Sequence, residues 1–126
     1  MVELALILPL VLILLLVTIQ FAIIGAEALA VNQLAYTGAR YAAVNPTVDQ
    51  TAISTYMKSI ALPLINENSG ADIQVTVSPS TTPRVTGTSV QVTVSYSLSS
   101  KIALPNPFLG IAFPATLSGT QTTMSE

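Results

Sequence analysis

Val2-Glu3-Leu4-Ala5-Leu6-Ile7-Leu8-Pro9-Leu10-Val11-Leu12-Ile13-Leu14-Leu15-Leu16-Val17 opens the chain and decides its organisation. No second charge appears before Glu27, so residues 4–26 form an uncharged run of 23. At about 1.5 Å of rise per residue, a helix of that length covers roughly 34 Å. That is enough to cross a hydrocarbon core of about 30 Å. Residues 10–17 are apolar on every side, which suits a helix surrounded by lipid. A cleaved secretory signal carries a basic start and a short apolar core. Here the start is acidic and the apolar stretch is long. The expectation is a membrane-spanning helix that stays on the protein.

Beyond Glu27 the residues remain good helix formers, and Asn45-Pro46 is the first strong terminator, because proline disfavours a helical residue before it. A helix over 4–44 is about 62 Å long, so half of it would stand outside the bilayer. Small residues recur along it at intervals of four: Ala22, Ala26 and Ala30, then Ala35, Ala39 and Ala43, with Gly38 and Ala42 in a neighbouring row. Such rows let backbones approach closely. In the outer half, packing against the chain's own head comes first. In the inner half the head cannot reach into lipid, so packing against other helices is expected. Pro9 removes one helical hydrogen bond and loosens the preceding turn, a defect of about 3 kcal/mol in water that membrane helices tolerate. It is either a harmless kink near the helix start or a bend used when the helix leaves lipid. Glu3 is either an interfacial acid favoured by the positive end of the helix dipole or one partner of an ion pair with a neighbouring chain's α-amino group.

The composition agrees with a two-part chain. Apolar residues make up 51% of the 126 and charged residues only 8%, against about 25% charged in a typical soluble domain. Residues 1–44 hold 33 of the 64 apolar side chains, three quarters of that segment. The division expected is therefore 1–44 as the long helix and 45–126 as a head domain. Histidine, cysteine and tryptophan are absent, which removes the usual zinc, haem and iron–sulfur ligand sets, disulfides and the commonest general base. With four cations and a net charge of −2, there is no basic stripe for nucleic acid.

In the head, Thr47 with Gln50 three residues on reads as a capping box. Val48, Ala52, Ile53, Tyr56, Met57, Ile60 and Leu64 recur at helical spacing, predicting an amphipathic helix over 48–66 ended by Asn68-Ser69-Gly70. The period then becomes two. Ile73, Val75 and Val77 predict one strand, and Val90, Val92, Val94, Tyr96 and Leu98 a second. Residues 115–124 predict a third, weaker one. Phe108, Leu109, Ile111 and Phe113 between prolines either cover the open end of the sheet, the reading that comes first, or form a contact to a neighbour. The fold class is α+β: a long apolar helix, a second helix and a small antiparallel sheet of about three strands. Ser and Thr supply 25 of the last 82 residues, so the head's polarity rests on hydroxyls that repel copies weakly and are open to O-linked sugars. Ser54 and Lys58, four apart, lack any sign of the desolvation and oxyanion site a catalytic pair needs. Asp49, Glu67 and Asp72 lie near turns, where capping is their expected use. No enzyme activity, cofactor or metal is expected.

The opening from Val2 to Val11, with its glutamate, its proline and the leucine-rich run that follows, resembles the TadE-like family, pilin-like proteins of the tight-adherence (Flp, type IVc) pilus system. Leu4 stands where the family pattern has phenylalanine. The segments Gly87-Thr88-Ser89-Val90-Gln91-Val92-Thr93-Val94-Ser95-Tyr96 and Leu117-Ser118-Gly119-Thr120-Gln121-Thr122-Thr123-Met124 look like the family's closing strands. The resemblance implies a pilin-like fold, processing by a prepilin peptidase, residence in the bacterial inner membrane, and incorporation by the assembly machinery into an extracellular pilus. It also implies that Glu3 corresponds to the pilin glutamate that pairs with a neighbour's N-terminus. Glu3, Pro9, Ala22, Ala26, Ala30, Ala35 and Ala39 are the candidate subunit contacts. The partners expected are copies of the chain in a helical filament, or other pilins. Three functions remain open: a filament subunit; an accessory pilin-like protein that initiates, caps or anchors a pilus; and, from a different class, a single-pass envelope domain that binds a ligand.

Overall fold

The computed structural model describes residues 1–61, 73–98, 110 and 114–126. One helix, α1 (Val2–Val44), runs through both parts of the molecule. Its 43 residues make a rod of about 64 Å, continuous through Pro9. It stops where the sequence says it should. The Asn45 backbone N–H and side-chain amide both donate to the Tyr41 carbonyl, at 3.1 and 3.0 Å, and Pro46 follows.

The second helix, α2 (Gln50–Ile60), is shorter than its sequence pattern predicts and capped differently. Asp49, not Thr47, is the N-cap, its carboxylate accepting from the Ala52 N–H at 2.9 Å. The reason lies in tertiary contacts. Arg84 Nη1 donates to the Val48 carbonyl at 3.0 Å, which holds the chain before Asp49 out of the helix. The Gln50 amide, which a capping box would turn back to Thr47, reaches instead to the Val75 carbonyl at 3.3 Å. At the other end Ala61 leaves the helix with ψ 136°, and Pro63 lies just beyond in the sequence, a common position for proline after a helix. The expected continuation over 62–66, the turn at Asn68–Gly70 and the covering role of Phe108, Leu109, Ile111 and Phe113 all fall outside the described residues.

The three predicted strands form: β1 (Ile73–Ser78), β2 (Ser89–Ser97) and β3 (Thr116–Met124). They make one antiparallel sheet in the order β1-β2-β3. Val75 faces Val94, and Val94 faces Gly119. One face carries Ile73, Val75, Val77, Val90, Val92, Val94 and Tyr96, all buried. The other carries Ser, Thr and Gln, as the two-residue period requires. The apolar face lies on the outer half of α1, and Ile53 and Met57 of α2 complete a single core.

Two glycines allow the close packing. A side chain on Gly119 would lie 3.2 Å from Asn32 Cα and 3.3 Å from the Val31 carbonyl oxygen, so α1 crosses β3 almost backbone to backbone. At Gly38 the thioether of Met57 occupies the space of a Cβ. Arg84, 4% exposed, ties the loops: besides Val48, its Nε donates to the Pro79 carbonyl and its own N–H to the Pro46 carbonyl. The end of the chain is held to α1 by a bond from the Glu126 N–H to the Ala43 carbonyl at 3.1 Å.

Candidate functional site

The buried positions of α1 begin at Gln20 and recur as Ile24, Glu27, Val31, Leu34, Gly38 and Ala42. That spacing of three and four is one helix face, and the head sits on it. Before Gln20 no residue of α1 is buried, and among residues 2–19 only Ile13 and Val17 are half-buried. Its most apolar window has a mean hydropathy of 2.9 and no buried residue. The free segment from Val2 to Ile19 is about 27 Å long, close to the hydrocarbon thickness of a bilayer. An uncovered apolar surface this extensive marks contact with lipid or with other protein.

Glu3 lies in the first turn of α1, exposed, where the helix dipole favours an anion. Pro9 is exposed five residues further along the chain from Leu4. Ala22 and Ala26 are exposed with Gly25 between them, a patch of small side chains open to a neighbouring helix. Ala30, Ala35 and Ala39 are 4%, 0% and 2% exposed, spent on contact with the chain's own head. The structure thus divides the seven sequence candidates. Glu3, Pro9, Ala22 and Ala26 offer surface, and the other three pack internally. The exposed face continues outward through Leu29, Gln33, Tyr36, Arg40 and Val44, opposite the buried row.

Sequence pattern alone passed over Gln20 and Glu27, which are 3% and 0% exposed. The signal was available: both fall on the row that leads to Val31 and Leu34. A carboxylate at that depth is held by partners and not by water. Two shallow grooves flank Arg40. One, of about 230 Å³, is bordered by Thr37 and by the stacked rings of Tyr41 and Tyr56, 4.1 Å between centroids. The other, of about 270 Å³, separates Tyr36 and Arg40 from Gln121, Thr122 and Thr123 of β3. Among the described residues no cluster of acidic side chains is arranged to hold a metal ion.

Residues 1–40 match the model of a family described as TadE-like protein. No curated protein and no solved structure matches the chain. The matched segment takes in the free half of α1 and most of the half that the head covers. It supports a pilin-like protein associated with the Tad pilus and anchored in a membrane by its apolar N-terminal helix.

Proposed function

We propose that this TadE-like protein of the Tad pilus system is a structural subunit of the pilus filament. In this reading, the free half of α1 lies in the inner membrane after prepilin peptidase processing and then moves into a bundle of like helices, with the heads outside. The main support is the division of α1: 18 residues of which none is buried, followed directly by a half that serves as the core of the head. Moving such a helix from lipid to protein gains mainly packing, since lipid tails are as apolar as leucine. The small patch at Ala22, Gly25 and Ala26 suits that packing, and Glu3 would pair with the N-terminal amino group of an adjacent subunit. The product would be an extracellular fibre, with surface attachment as its use.

Filaments sheared from the source cells and analysed by mass spectrometry test the proposal. This polypeptide is expected among the principal components. Its absence from the filaments would refute a subunit role, and a trace amount would make it an initiating or anchoring accessory. Glu3→Ala is expected to leave the protein in the membrane and out of the filament. Normal assembly of that variant would remove the pairing role from Glu3.

A further inference from the structure

The two edges of the sheet are not alike. At β1 the edge is engaged at one point: α2 contacts β1, and Gln50 Nε2 donates to the outward Val75 carbonyl. Among the described residues no strand or helix pairs with the outer edge of β3. Its hydrogen-bonding register follows from two bonds that flank the ladder, Ser125 N–H to the Thr88 carbonyl at 2.8 Å and Leu98 N–H to the Ala115 carbonyl at 2.9 Å. In an antiparallel pair, bonded and non-bonded sites alternate. Leu117, Gly119, Gln121 and Thr123 therefore bond β2, while the N–H and C=O groups of Ser118, Thr120 and Thr122 point away from the sheet. These three residues are exposed. Natural edges are usually blunted by proline, lysine, inward charges or bulges. The nine residues of β3 contain no proline or charge, and they pair with β2 without a break in register.

We infer that the β3 edge is a docking site for an extended segment of a different protein, added as a fourth strand beside β3 with a carboxylate side chain reaching Arg40. The charge comes from the groove along that edge. Arg40 lines it with Tyr36 from α1, opposite Gln121, Thr122 and Thr123, and among the described residues it forms no hydrogen bond or ion pair. Glu126 stands in the same groove without bridging to it. A second copy of the chain fits poorly. On its β1 edge the Val75 carbonyl is already taken by Gln50. Pairing β3 with β3 antiparallel would reverse every direction in the sheet plane, α1 included, and send the two apolar helices opposite ways. That last exclusion rests on the membrane reading of α1. Strand addition of this kind draws affinity from main-chain bonds and selectivity from the alternate side chains.

The test uses the full chain, isotope-labelled, in detergent micelles. The probes are two acetylated, amidated peptides, Thr-Val-Thr-Glu-Thr-Val-Thr and its counterpart with lysine in place of glutamate. The glutamate peptide is expected to shift the amide signals of Ser118, Thr120 and Thr122 and slow their hydrogen exchange, leaving Gly119 and Gln121 as they were. It should bind about two- to fivefold more tightly than the lysine peptide, the range of an exposed ion pair, and Arg40→Gln should level the two. Thr122→Pro removes an outward N–H and no bond to β2, so a folded variant that no longer binds is the expected result. No response of the three amides in the unsubstituted chain to either peptide would overturn the inference, as would preference for lysine. Protection of the same amides that rises with protein concentration and no peptide would make a second copy the occupant and overturn it too. Because the measurement reads the isolated chain, its outcome is independent of whether the chain is found in pili.

Discussion

The inner and outer halves of α1 are built from the same kinds of residue and do opposite things. Leu14 and Leu34 are both leucines on one unbroken helix, yet Leu14 is 67% exposed and Leu34 is 5% exposed. Apolar content does not separate them. What separates them is the small and polar residues between: from Gln20 onward the helix acquires one face for the sheet and another for water, and before Gln20 it has no distinct face at all. A helix that is apolar all round needs an apolar surrounding, whereas one with a single stripe needs only a core.

The largest contrast expected is between two truncations. A chain lacking residues 1–19 loses no buried side chain, so its head should remain folded and melt cooperatively. A chain lacking residues 1–44 loses Ile24, Val31, Leu34 and the alanines that fill the core. At roughly 1.5–3 kcal/mol for each large side chain, that approaches or exceeds a total stability of about 5–15 kcal/mol, and no cooperative transition is expected by circular dichroism. A cooperative melt from the shorter chain would show that the head is independent of α1.

Single leucines sharpen the same contrast. Leu34→Ala should destabilise the head by about 2–5 kcal/mol through lost burial and a cavity, and Leu14→Ala by less than about 0.5 kcal/mol. Equal losses in urea denaturation would mean that the head also covers the inner half. Two glycines give smaller effects than Leu34, and they differ in direction. Gly119→Ala pushes a methyl group against the backbone of α1 and should cost about 1–3 kcal/mol. Gly25→Ala meets nothing within 4 Å and should be neutral or stabilising by up to about 1 kcal/mol. Thermal melts of the pair check both signs.

Much of this division was legible beforehand. The uncharged run, the stop at Asn45-Pro46 and the two-residue period of Val90 to Tyr96 each reflect a local requirement that tertiary contacts do not alter. The start of α2 was not legible in the same way. Thr47 with Gln50 makes a sound capping box in isolation, but Arg84, distant in sequence, takes the Val48 carbonyl and leaves the cap to Asp49. The alanine rows show the same limit at the candidate site. Ala22 and Ala39 look alike as members of rows spaced by four, and only the position of the head decides that one is exposed and the other buried. Gln20 and Glu27 stand outside the alanine rows, and only the position of the head shows that they lie on the row it covers.

The central claim is that the inner half of α1 belongs in a membrane and the outer half outside it. The chain contains no cysteine, so single-cysteine variants report without background. With the full chain in lipid vesicles, a membrane-impermeant maleimide should label Tyr36→Cys rapidly and leave Leu15→Cys unlabelled until detergent is added. Rapid labelling of Leu15→Cys in intact vesicles would contradict the account.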